Sequence, residues 1–176
     1  MILKLKIITK ENYYLPCEQV KALGKLNTAS GMIEALTEQT YIDSVKDISL
    51  NTSVPDEVKS LFEVSLALHV YGFLCWAFFT IANEQSYKAF ECAISYKHNE
   101  IMGTNYDKKG TRQLNLNTKI RNLIEQGILK SDQELQYKAL RELRNSAFHP
   151  SSQSNFGHDQ RVLRLVAKVI NELFDH

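Results

Sequence analysis

From Val64 to Ala82 the chain runs 19 residues without an Asp, Glu, Lys or Arg. Few structures accommodate such a run. A helix of that length spans a bilayer. It also suits the centre of a helical bundle, where neighbours cover every face of an all-apolar helix. Ser65, His69, Tyr71, Gly72 and Thr80 interrupt the run, and its flanks carry no clear asymmetry of basic charge. Both features favour the bundle over a transmembrane segment. Gly72 marks either a joint or a close helix contact. His69, alone in apolar surroundings, reads as a core histidine.

The rest of the chain repeats the helical theme. Asn51 to Pro55 is a break, with Ser53 as a cap and Pro55, Asp56 and Glu57 as first-turn residues that suit the helix dipole. Tyr87, Phe90 and Ala93, with Cys92 and Ile94 beside them, make one stripe. Ile120, Leu123 and Ile124 make another, closed by Gly127. Ser131 and Glu134 have the spacing of a capping box. Leu140, Leu143 and Ala147 should face the core. Asp159 can cap a last helix whose stripe is Val162, Leu165 or Val166, Val169 and Leu173. Gly103 to Gly110 is a polar loop, read as a solvated connection that could touch a ligand. Residues 56–176 are therefore expected to form an all-α bundle. Residues 1–55 are expected to be a separate N-terminal extension. Within it, alternation over 1–9 predicts a short strand, 16–26 a short helix ending near Gly24, 28–31 a turn, and 31–47 a helix.

A chain of 176 residues can bury one sizeable core. The net charge of +1 gives no global attraction to nucleic acid or membrane. From residue 110 onward ten Lys+Arg face seven Asp+Glu, a weak local excess. The three cysteines, Cys17, Cys75 and Cys92, are odd in number. Cys75 and Cys92 lie among apolar residues and read as buried free thiols of a reducing compartment. No Cys/His spacing suggests zinc. Residues 1–8 lack the h-region and cleavage site of a signal peptide, so a cytoplasmic protein is expected. No phosphate-binding Gly loop, G-x-S-x-G elbow or HExxH is present. No cofactor is called for.

One constellation carries chemistry. Residues 139–150 read Ala-Leu-Arg-Glu-Leu-Arg-Asn-Ser-Ala-Phe-His-Pro, placing His149 five residues after Arg144. On a continuous helix the two would point about 140° apart. Pro150 biases His149 out of the helical region, so it can turn back toward Arg144. An arginine can grip a phosphate with parallel N–H donors, and a histidine can move a proton near neutral pH.

Arg144, the polar Asn145 and His149 after four intervening residues resemble the signature of the HEPN domain family. Trp76 to Gln85, Ala89 to Ile94 and Leu123 to Leu129 resemble the helices that precede that motif in one bacterial group. The resemblance covers about residues 56–176 and implies an all-helical homodimer whose two motifs meet in one cleft. It implies metal-independent RNA cleavage by 2′-hydroxyl attack, in a toxin or antiviral defence effector with an antitoxin or regulatory partner. Arg144, His149 and Asn145 would be catalytic, and Arg141 and Glu91 would contact RNA or support the site. Plainer roles stand beside these. Arg144 can pair with Glu142, Glu91 or Glu84, Asn145 can cap carbonyls, and Arg141 can be solvated. The family also includes non-catalytic modules that bind RNA, a nucleotide or a protein. A helical interaction protein with an accidental motif is a third alternative.

Overall fold

Hydrophobic burial organises this chain around two long helices that part just after Gly72. The computed structural model describes residues 6–130, 134–147 and 160–175. Among them the elements are α1 (Glu18–Lys21), β1 (Gly24–Leu26), β2 (Ile33–Ala35), α2 (Glu38–Val45), α3 (Asp56–Tyr71), α4 (Ala77–Met102), α5 (Leu116–Glu125), α6 (Glu134–Ala147) and α7 (Arg161–Phe174). The fold is all-α with one small antiparallel sheet, in which Gly24 pairs with Ala35 and Leu26 with Ile33.

The uncharged run is divided between α3 and α4. Gly72 caps α3, and a Cβ there would meet the Phe79 ring at 2.2 Å. The glycine thus permits the close approach of Phe79. Among the described residues no helix is long and apolar enough to cross a membrane.

The main core is built on α4. Phe90, Ala93 and Ile94 are fully buried and pack with Val58 and Phe62 of α3, Leu123 of α5, Tyr137 and Leu140 of α6, and Leu163, Val166 and Ile170 of α7. Each such aliphatic or Phe side chain contributes about 1.5–3 kcal/mol on burial. The segment after α2 is strapped to α7. Arg164 grips both carboxylate oxygens of Asp47 at 2.8 and 2.9 Å, and Asn171 accepts from Asn51 N and donates to Ser49 O. A second core gathers Cys17, Val20, Tyr41, Phe73 and Phe79. His69 is 1% exposed beside the Tyr41 and Phe79 rings, a core histidine as expected.

Several expectations need correction. Residues 6–9 form no strand; Lys6 instead donates to Leu15 O at 2.6 Å in a turn-rich segment, and residues 1–5 lie outside the described part. The 16–26 helix is a single turn followed by β1, and 31–47 holds β2 before α2, because residues 24–35 close a hairpin through the Asn27–Gly31 turn. Ser53 caps nothing: the residue before α3 is Pro55, whose carbonyl accepts from Val58 N and Lys59 N. Cys17 is the buried cysteine, while Cys75 and Cys92 are half-buried; all three are free. Ser131, Phe148, His149, Pro150 and Asp159 lie outside the described residues.

Candidate functional site

Helix α6 carries Arg141 and Arg144 on the same side as Tyr137 and Leu140, one turn further on, so burial of those two side chains brings the arginines against α4 and α5. The two arginines then reach different neighbours. Arg144 turns to α4, where its Nε and Nη2 both donate to Glu91 Oε2, at 3.2 and 2.9 Å. Of the three carboxylates within the sequence's reach, Glu91 is the one engaged through this edge of the fork. Nη1 lies 3.4 Å from Asn145 Oδ1. The Arg144 and Glu91 side chains are 32% and 37% exposed, so the pair is anchored yet open to solvent. Arg141 turns to α5 and donates to Asn117 Oδ1, with Glu142 as its ion-pair partner. Its Nε is buried without a hydrogen-bond partner among the described residues. Asn145 is exposed. His149, the remaining residue of the motif, lies outside the described residues.

Sequence reasoning missed the residues behind this pair. Glu91, Ser95 and His98 are spaced i, i+4, i+7 and share one face of α4. Lys119 of α5, only 3% exposed, donates to Ser95 Oγ at 2.9 Å. Burial pulls the Lys119 ammonium below the ordinary lysine range, and the Glu91 carboxylate pushes it partly back. Glu91 therefore stands in the field of two cations, Arg144 and Lys119. One turn further on, the His98 ring is buried between two amides. Its Nδ1 is 3.0 Å from Asn105 Oδ1, and its Nε2 is 3.1 Å from Asn122 Nδ2. This pairing suits the neutral Nδ1–H tautomer, which donates to Asn105 and accepts from Asn122. Asn105 Nδ2 in turn donates to Ser95 O at 3.0 Å.

A signal for Lys119 does exist in the sequence. Leu116, Lys119, Ile120 and Leu123 form one buried stripe, so Lys119 is a cation at an apolar position. The His98 partners, 7 and 24 residues away in the chain, have no comparable local signature.

Chemically, the α4–α5–α6 face offers an arginine whose Nε–Nη2 edge is fixed on Glu91, the kind of donor that can grip a phosphate. It also offers a second arginine toward α5 and a buried lysine behind. Among the described residues no group of three His, Cys, Asp or Glu converges as a metal site would. Comparison with known proteins finds no matching family model, no matching curated protein and no matching solved structure.

Proposed function

We propose that this chain is a HEPN-type endoribonuclease that needs no metal, acting as a toxin or antiviral effector. The observation that carries the reading is the Glu91 clamp on Arg144. An arginine meant only for solvation has no need of two donors fixed on one carboxylate oxygen of another helix. A guanidinium held in advance loses less freedom when it meets a phosphate, and preorganised charge is the largest single source of catalytic stabilisation.

In the proposed reaction a 2′-hydroxyl attacks the adjacent phosphorus and the P–O5′ bond breaks. A base takes the 2′ proton and an acid gives one to the departing 5′ oxygen, leaving a 2′,3′-cyclic phosphate and a 5′-hydroxyl. Arg144 neutralises the growing phosphorane charge. His149 supplies the proton transfer, with a second copy in a homodimer supplying the other. The toxin or defence role, the dimer and an antitoxin or regulatory partner rest on the sequence resemblance. The test is incubation with total RNA in EDTA. Wild type should cut RNA and spare DNA, which lacks the 2′-hydroxyl. Arg144→Ala and His149→Ala should each lose at least about 100-fold. Cleavage that survives both substitutions would refute the assignment.

A second reading is a non-catalytic module using the same cleft. It is favoured by the fact that Glu91 already balances the Arg144 charge. RNA binding without products from wild type would select it.

A further inference from the structure

Beyond α4 the chain makes an excursion that the cleft reading leaves unused. Residues 103–115 form a small ordered hairpin. Tyr106 bridges to Gln113, Asp107 N donates to Arg112 O at 2.8 Å, and Leu114 N donates to Asn105 O at 2.8 Å. The Asp107 carboxylate folds inward and accepts the backbone N–H groups of Lys109, Thr111 and Arg112. Those bonds hold its pKa below the usual carboxylate range. The one acid of the hairpin is thus spent on its shape. Lys108, Lys109 and Arg112 remain exposed, and none forms an ion pair with a described residue.

From Lys108 to Arg121 there are five Lys+Arg and no Asp or Glu, in a chain whose net charge is only +1. Tyr106 stands 49% exposed on the hairpin stem. Exposed cations interleaved with an aromatic face are what a single nucleic-acid strand needs: charge for the backbone and a ring for a base.

Both stems of the hairpin are tied to the elements of the cleft. Asn105 is bonded to Ser95 O and His98, on the α4 face that carries Glu91. Seven residues of helix separate Glu91 from His98, about 10 Å. The other stem runs into Asn115, which caps α5, and then Asn117, which receives Arg141.

We infer that the 103–115 hairpin is a docking arm for single-stranded RNA, guiding its phosphates from Lys108, Lys109 and Arg112 toward Arg141 and Arg144. A base stacks on Tyr106. The inference rests on the RNA reading of the cleft. The strand is single because 2′-hydroxyl attack requires the 2′ oxygen to line up opposite the departing 5′ oxygen, which a continuous A-form duplex prevents.

The experiment uses the full chain with His149→Ala to block cleavage, and a labelled mixed-sequence RNA of about 15 nucleotides, roughly the largest single-strand site one such module covers. Affinity is read by fluorescence anisotropy across a salt series. Adding Lys108→Gln, Lys109→Gln and Arg112→Gln together should lower affinity and reduce the slope of log K against log salt by about 2, at about 0.7 per lost phosphate contact. Tyr106→Ala should weaken binding about 5- to 100-fold with no change in slope. All four positions are exposed, and an unchanged thermal melt verifies the fold. RNA binding with the same affinity and slope in the triple variant would overturn the arm and leave the cleft reading intact. Equal affinity for duplex and single strand would overturn the single-strand assignment. No RNA binding by the parent chain would overturn both readings.

Discussion

Glu91 serves two cations at once, and a substitution there separates positioning from stability. Glu91→Gln keeps the shape but removes the charge that holds Arg144 and faces Lys119. Because the pair is about one-third exposed, solvent screens it, and the expected stability loss is only about 1 kcal/mol. The effect on cleavage should be larger, on the order of 10- to 100-fold in kcat/KM, since a loosened guanidinium must be ordered at each turnover. Urea denaturation beside RNA cleavage kinetics checks the split; proportionate losses in both would assign Glu91 to structure alone. Arg144→Lys should not rescue, because an ammonium cannot reproduce the two-donor edge. At this scale the sequence was informative where chemistry is local. The Arg144 motif is contiguous, and Glu91 was among its three candidate partners. The contact between Lys119 and Ser95 was hidden because it crosses 24 residues and becomes visible only when α4 and α5 pack.

The two arginines depend on the placement of α6. Leu140 is 0% exposed, on the stripe that holds this helix against α4 and α5. Leu140→Ala should cost about 2–5 kcal/mol, through lost burial and the cavity left behind. Chemical denaturation measures that cost, and cleavage should fall with it. A loss below about 1 kcal/mol would mean that α6 is held by other contacts. The long helices from Asp56 onward were legible because strong apolar periodicity and recognisable stop signals coincide there. Gly103 and Gly127 adopt φ of +73° and +71° just beyond α4 and α5, where left-handed backbone favours glycine. Residues 24–35 were not legible for the opposite reason. Every residue of β1 and β2 is exposed, so no alternation of burial marks the strands. Turn geometry, with Gly31 at φ +70°, closes that hairpin instead.

Across the whole molecule, the α3–α4 pair joins two cores, and each core carries a buried tyrosine that reports on it. Tyr41 in the second core and Tyr87 in the main core are 2% and 1% exposed. Burial, with a smaller contribution from Cys17 for the first and Glu84 for the second, pushes each hydroxyl up to about 12 from its usual 10. A raised folded value means that the folded chain holds the proton where the unfolded chain has released it. The resulting stabilisation is fully present below pH 10 and is lost as pH climbs from 10 toward 12. The melting temperature should therefore fall steeply across that window, with tyrosinate absorbance from these two residues appearing only as the chain unfolds. Tyr87→Phe should flatten part of the fall. At neutral pH it should change stability little, because Tyr87 Oη has no hydrogen-bond partner among the described residues for the substitution to orphan. A melting temperature that stays level through the window, with every tyrosine ionised in the folded chain, would show that water reaches both cores.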